Sequence, residues 1–388
     1  MPGLRMYKSS YYSNIGANQP IRAGTINIGC LRGRGSTTRM LNWCQQNSPN
    51  PSECINEFVT ITPKPSLKLW SQLGNEIFNG PIDSIIAING KVYADNNILN
   101  SSQGYVVVYN NGSWAQVGTG NFTGPVYTII GNNNYLYVSV GGSSNVNNNY
   151  VEIYNNGSWT TGPGFTDAIN ALAVNTANGY IYAGGNFNNG NIYNNYVAYS
   201  TNNGLSWSQL GNTFNNEINA LAVDSNNGNV YAGGDFTITP GLGATDYYIA
   251  VYNGSSWSQL GTTFKGSIES IVVGNNGYIY AAGFFINGSG NYVAVYNGST
   301  WSPLGNQSFN NTIWALAVDN KGNIYAGGDF TNSYGRYIAV YNGSTWSQLG
   351  RNQPFEQTID TISVDNNGNV YADGYTSQLG NFVAVYSN

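Results

Sequence analysis

From Leu69 onward the chain alternates short apolar runs with polar turn residues, and no stretch keeps a helical period over comparable length. Residues 312–350, TIWALAVDNKGNIYAGGDFTNSYGRYIAVYNGSTWSQLG, show the pattern most clearly. Ile313 to Val318 is nearly all apolar, which predicts an inner strand buried on both faces. Asp319-Asn320-Lys321-Gly322-Asn323 predicts a tight turn, because an Asp side chain can accept from the backbone two residues on and Gly supplies positive φ. Asn323 to Phe330 predicts a second strand, with Gly327-Gly328 where backbones approach closely. Tyr337 to Tyr341 alternates as a third strand does, and Asn342-Gly343 predicts a two-residue hairpin into a fourth strand at Trp346.

The same unit recurs along the chain. Tryptophans stand at Trp70, Trp114, Trp159, Trp207, Trp257, Trp301 and Trp346, separated by 44, 45, 48, 50, 44 and 45 residues. Seven radially repeated units of four antiparallel strands predict an all-β fold, a seven-bladed β-propeller. The region starts with a lone fourth-strand sequence, Leu69 to Leu73, and ends with a third-strand sequence, Asn381 to Tyr386. The strand at 69–73 is therefore expected to complete the last blade and close the ring by backbone hydrogen bonds, leaving no gap between first and last blades.

The order Ile-Tyr-x-Gly-Gly, then Tyr, then Trp, as in Ile324 to Gly328, Tyr341 and Trp346, resembles the kelch repeat of galactose-oxidase-type propellers. The run Asp319 to Ala326 is similar to NHL repeats, and Ser200 to Trp207 resembles an Asp-box turn with Asn in the Asp place. The resemblance covers residues 69–388 and implies the propeller fold; propellers host enzymes, lectins and scaffolds alike, so function must come from the site.

Composition narrows the chemistry. There is no histidine, which removes Ser-His-Asp and Cys-His nucleophile pairs and His-containing zinc, haem or copper sites. Charged residues are only 8%, so solubility rests on Asn, Gly and Tyr, while 41% hydrophobic residues suffice for a core. Residues 1–68 hold eight basic and two acidic residues, a net +6, and all three cysteines; the rest holds five basic and sixteen acidic residues, a net −11. The division predicts a basic N-terminal arm, 1–68, and a propeller, 69–388, joined near Pro63-Lys64-Pro65. Met1 to Ser13 lacks the apolar run of a secretory peptide, and no stretch reaches the roughly 18 apolar residues of a membrane span.

Several residues are candidates for chemistry or contact. Asp95, Asp235, Asp329 and Asp373 follow the second strand in four units and can serve as acid and base, as calcium ligands or simply as turn caps. Asp224, Asp319 and Asp365, in the opposite turns, read as structural. Loops between second and third strands are long in unit four (Phe236 to Asp246) and Asn- and Tyr-rich in units two and three, so Asp235, Asp246, Tyr247, Tyr193 and Asp329 are the expected binding residues of a polar, aromatic rim. In the arm, Arg32, Arg34 and Arg39 suit phosphate, nucleic acid or an acidic protein surface. A zinc site is not expected from three cysteines; Cys44 and Cys54 are the candidate disulfide in an oxidising place, and all three are thiols in a reducing one.

The reading that follows is a non-catalytic structural or interaction protein without catalytic residues, cofactor or metal. Its partners are expected to be proteins or further copies of itself through residues 1–68, with glycans next and nucleic acid after them. The composition suits an extracellular surface or a virion, with the cytoplasm as the alternative location. Competing readings are a glycan-binding lectin and a hydrolase or lyase using acidic loop residues.

Overall fold

The computed structural model describes residues 69–387 except 77, 99–102, 120, 133, 142–148, 189, 191–193, 238–245, 287–289 and 352–354. Among them there is no helix; strands build seven four-stranded antiparallel sheets, and a two-stranded hairpin, Thr331–Asn332 with Gly335–Arg336, projects from the sixth. Blade six is typical, running Ile313–Val318, Ile324–Gly328, Ala339–Tyr341 and Trp346–Gln348 from the inside outward. The seven-bladed propeller is therefore the fold.

Blade seven draws on both ends of this region. Ile362–Val364, Val370–Thr376 and Gly380–Tyr386 are joined by Trp70–Gln72 as the outer strand, in the register Trp70↔Tyr386 and Gln72↔Ala384. The indole of Trp70 is buried, lies edge-on to Phe355 at 5.1 Å, and donates from Nε1 to the Leu349 carbonyl at 2.8 Å.

That bond is one case of a rule. Trp114, Trp159, Trp257, Trp301 and Trp346 each donate from Nε1 at 2.7 Å to the carbonyl of Leu73, Val117, Leu210, Leu260 and Leu304, at the end of the preceding blade. The residue after that carbonyl is glycine for a physical reason: at Gly211, φ is +65° and a Cβ would stand 2.8 Å from Trp257. Trp207 departs from the rule. The preceding fourth strand, Ser158–Phe165, carries no Leu-Gly step, and the Trp207 Nε1 is buried without an acceptor.

The core consists of seven apolar wedges, one between each pair of neighbouring blades. The wedge closing the ring packs Tyr371, Val383 and Val385 of blade seven on Ile82, Ile85 and Val92 of blade one. Such cores hold blades together by area removed from water, so no one contact carries the ring.

Two sequence expectations need correction. The Asn342-Gly343 hairpin pairs Tyr341 with Trp346, so the loop has four residues: Asn342 Oδ1 accepts from the N–H groups of Ser344 and Thr345, and only Gly343 has positive φ. Blades one and two do have the two-residue form, with Asn111-Gly112 and Asn156-Gly157 both at positive φ. Asp95 and Asp373 do not follow their second strands; they lie inside Lys91–Asn97 and Val370–Thr376.

Candidate functional site: the acidic mouth of the ring

Antiparallel pairing puts the turns joining first to second and third to fourth strands on one face of the ring. The connections from second to third strand, and from each blade to the next, lie on the other. All 21 charged residues after residue 68 are described, and their distribution between the faces is unequal. Glu152 is buried in the middle of the strand Asn149–Asn155 and belongs to neither face; Glu76, Asp83, Asp95, Asp167, Glu217, Asp235, Asp246, Glu269, Asp329, Glu356, Asp360 and Asp373 belong to the second face, against Lys265, Arg336 and Arg351, a net −9. The first face has Asp224, Asp319 and Asp365 against Lys91 and Lys321, a net −1.

The centre of the acidic face is built by a repeated irregularity. In blades two to six the ladder between first and second strands skips one residue, directly after a buried Val or Ile: between Ile218 and Ala220, for example, Asn219 has no partner. A bulge re-aims its side chain. The bulged residues are Tyr127, Asn170, Asn219, Glu269 and Trp314; Asp83 and Asp360 hold the corresponding place in blades one and seven, one residue after buried Ile82 and Ile359. Trp314 and Tyr127 are 37% and 42% exposed although the rest of each strand is buried or partly buried, so the inner strand of blade six is not covered on both faces as its apolar sequence predicts.

Asp83 and Asp360 therefore hold matching places on the neighbouring inner strands of blades one and seven, which are joined by the Ile85 N–H to Thr361 Oγ1 and the Ala87 N–H to Ser363 Oγ, and each is supported from behind. Asp95 Oδ1 accepts from the N–H groups of Asp83 at 3.0 Å and Ser84 at 2.8 Å; Asp373 Oδ1 accepts from those of Asp360 and Thr361, both at 3.0 Å. Burial, and then the charge of Asp360, push the Asp83 carboxyl up to about 6. Burial, and then the charge of Asp329, do the same to Asp360. Asp95 and Asp373 lie above the ordinary carboxylate range because they are buried and face those two charges. The second oxygen of Asp95 is buried without a partner.

Asp329 behaves oppositely. Burial works against its ionisation, but the Thr358 hydroxyl, the Trp314 indole and the Arg336 guanidinium outweigh that and hold its carboxyl below the usual range. Arg336, on the projecting hairpin, makes its ion pair with Asp329 at 3.3 Å and also donates to the Glu356 carbonyl. Arg336, Glu356, Thr358, Asp360, Asp373 and Tyr375 help line a pocket of about 280 Å³ beside the mouth. Across the ring a second set stands together. Glu217 and Asp235 interact, Asn170 donates to Glu217, Asn219 and Ser267 donate to Glu269, and burial raises all three carboxyls. Among the described residues no group of three or more carboxylates or thiols is arranged to hold a metal ion.

Of the residues expected from sequence, Asp235 and Asp329 belong to this mouth. Asp246 and Tyr247 stand farther out, with Tyr247 half-buried against the blade-five core and in bridge pairing with Phe264. Tyr193, Arg32, Arg34, Arg39, Cys44 and Cys54 lie outside the described residues. Sequence reasoning missed Asp83, Glu217, Glu269, Trp314 and Asp360. A signal existed in the polar second position of Ile-Asn-Ala-Leu-Ala-Val, an odd residue in an otherwise apolar strand.

Comparison with known proteins agrees with this fold. No curated protein matches the chain. The ring is similar to a chain in the crystal structure of a mitotic checkpoint complex, with a TM-score of 0.58 over 83% of this chain and 96% of that one; at 12% identity the likeness is one of fold. Residues 191–371, starting just before the third strand of blade three (Ala198–Ser200) and reaching into blade seven, match the family model of the Rax2 C-terminal beta propeller domain.

Proposed function

We propose that this protein is a non-catalytic interaction scaffold whose propeller presents its acidic face to a basic protein partner. The observation that carries the reading is the charge asymmetry, a net −9 on one face against −1 on the other. Concentrated charge of one sign steers oppositely charged partners and selects among them. The likeness to a propeller chain within a protein complex, and to the Rax2 propeller, supports a scaffold. The kelch- and NHL-like blade sequences are in keeping with it. Residues 1–68, with their net +6, are the anchoring or self-assembly segment in this reading, on an extracellular surface or virion.

The test is titration of the full-length protein with a fluorescent Lys- and Arg-rich peptide. Binding that weakens as salt shortens the Debye length to about 8 Å, and that falls in Glu217→Gln/Glu269→Gln/Glu356→Gln, is the expected result. Equal affinity for wild type and the triple variant would refute the reading.

A glycan is the second reading, because exposed Trp314 and Tyr127 flank the Asp360 and Asp83 carboxylates around the mouth. Exposed rings beside hydrogen-bonding carboxylates suit a sugar. Retention on a glycan array that is lost in Trp314→Ala, with no response to the basic peptide, would favour it.

A further inference from the structure

We propose that the pocket beside the mouth is an arginine-binding site, which receives one guanidinium of the basic partner and so sets which basic sequences the acidic face accepts. The inference rests on the reading of that face as a protein-binding surface, and it names the side chain that anchors the partner there.

The pocket is a product of ring closure. Pro81 and Ile82 of blade one, Arg336 on the hairpin of blade six, and Glu356, Asp373 and Tyr375 of blade seven stand around its volume of about 280 Å³. Its walls are fastened before anything binds. The Glu356 N–H donates to the Tyr375 carbonyl at 3.0 Å, the Ser377 N–H donates to Glu356 Oε2 at 2.8 Å, and Arg336 Nη1 donates to the Glu356 carbonyl at 3.0 Å. The segment entering blade seven is thereby held by that blade's second strand on one side and by blade six on the other. A preformed cavity spares a ligand the cost of ordering it. The volume lies just below the roughly 300–1,000 Å³ of ordinary small-molecule sites, so it suits a single long side chain.

The lining decides the chemistry of the occupant. Asp373 is nine-tenths buried, and the two N–H groups it accepts, from Asp360 and Thr361, both fall on Oδ1. Among the described residues no donor reaches Asp373 Oδ2 or either oxygen of Asp360, which also lines the pocket. A buried carboxylate oxygen left without a donor is costly, and a bound cation removes that cost. Arg336 is the cation of the lining, but its terminal nitrogens go to Asp329 and the Glu356 carbonyl, so it braces the wall and leaves Asp373 unpaired. Burial and the Asp360 charge hold the Asp373 carboxyl above the ordinary carboxylate range, in keeping with a site that lacks its counter-charge.

The cation is organic, since among the described residues no three carboxylates or thiols are arranged to hold a metal ion. A guanidinium spreads five N–H donors over a plane, is weakly hydrated and stacks on aromatic faces, whereas an ammonium is a compact, strongly hydrated point charge. Desolvated Asp373 beside the half-buried Tyr375 ring favours the guanidinium.

Two fluorescent peptides of equal length and charge, one with arginine and one with lysine at every basic position, test the assignment by titration into the full-length protein. The arginine peptide should bind about tenfold more tightly, the worth of one charge-assisted hydrogen bond. Asp360→Asn, whose carboxylate supports no other group, should erase most of that preference. Glu217→Gln/Glu269→Gln, across the ring, should weaken both peptides alike and leave the preference in place. Equal affinities in wild type, or an unchanged preference in Asp360→Asn, would overturn the pocket while the acidic-face reading stands; binding of neither peptide removes both. Location is read on the wild-type protein by NMR, so it does not depend on any variant folding. N-acetyl-arginine methylamide should shift the amide signals of Thr361 and Ser377, which donate to Asp373 and Glu356, and leave that of Lys321, which donates to Asp319 on the other face. Shifts at Thr361 and Ser377 with methyl glycosides, and none with the blocked arginine, would make the pocket a sugar site and refute the assignment.

Discussion

On one face of the ring the carboxylates serve their own turns, and on the other they face one another across blades. Asp319 accepts from the N–H groups of Lys321 and Asn323, the Asn323 amide and the Tyr325 hydroxyl, all within six residues of itself. Asp365 repeats that set with Asn367, Asn369 and Tyr371, and Asp224 has a shorter version with Asn226 and Asn227. Asp83 and Asp360, 277 residues apart in the sequence, stand on neighbouring blades, and Glu217 and Asp235 interact near Glu269 of the next blade. The same residue type is thus a structural acceptor where donors are local and a source of repulsion where its neighbours are other carboxylates. A surplus of like charge, which costs stability, is confined to one face.

The frame that both faces share gives the largest expected effect. Removing residues 1–74 takes away Trp70–Gln72 and leaves the Gly380–Tyr386 strand with an open edge, whereas removing 1–64 keeps the closing strand. Thermal melting should separate the two truncations widely, and Trp70→Ala alone should cost about 3–5 kcal/mol. Equal melting of both truncations would contradict closure by this strand.

Next come the turns. Asp319→Ala strands two backbone N–H groups, an amide and a hydroxyl, and should destabilise by about 1–3 kcal/mol in urea unfolding. Glu269→Gln on the acidic face should do the reverse at pH 7.5, raising the urea midpoint by an amount worth less than about 1 kcal/mol, since its carboxylate is partly buried yet still screened by solvent and keeps its hydrogen bonds from Ser267 and Asn219. Opposite signs at the two faces sharpen the comparison, and the same sign would break it.

The pH dependence of Glu217, Asp235 and Glu269 is a smaller effect. Burial raises each above its unfolded value, so the fold binds more protons than the unfolded chain just above the ordinary carboxylate range. Stability contributed there should fall as pH rises from 5 to 7, and Glu217→Gln/Glu269→Gln should flatten the curve. A wild-type midpoint that climbs over that interval would count against it. Smallest of all, Lys321→Ala on the other face should leave affinity for a basic peptide unchanged, as fluorescence titration can check.

Much of this architecture was legible before any coordinates. Tryptophan spacing marked seven blades because each indole must reach the Leu or Val carbonyl at the end of the preceding blade, so the repeat length is set by blade geometry. The fourth-strand sequence at Leu69 to Leu73 marked the closure because the terminal blade lacked that strand. Trp207 stood in the series yet makes no such bond, since the acceptor depends on a Leu-Gly step that the preceding blade lacks.

What the chain's order determined by itself, then, was everything that rests on contacts within a unit or its immediate neighbour: strand runs, Asp-capped turns, and the number of blades. Local hydrogen bonds and side-chain alternation have fixed short ranges, so they leave a readable period. The acidic mouth was decided only in three dimensions. A one-residue bulge turns Tyr127 and Trp314 toward solvent from strands that read as buried, and ring closure makes the strands that carry Asp83 and Asp360 neighbours. Neither step leaves a local mark, because a bulge depends on the register of two paired strands and a charge pair depends on which blades become neighbours when the circle is complete.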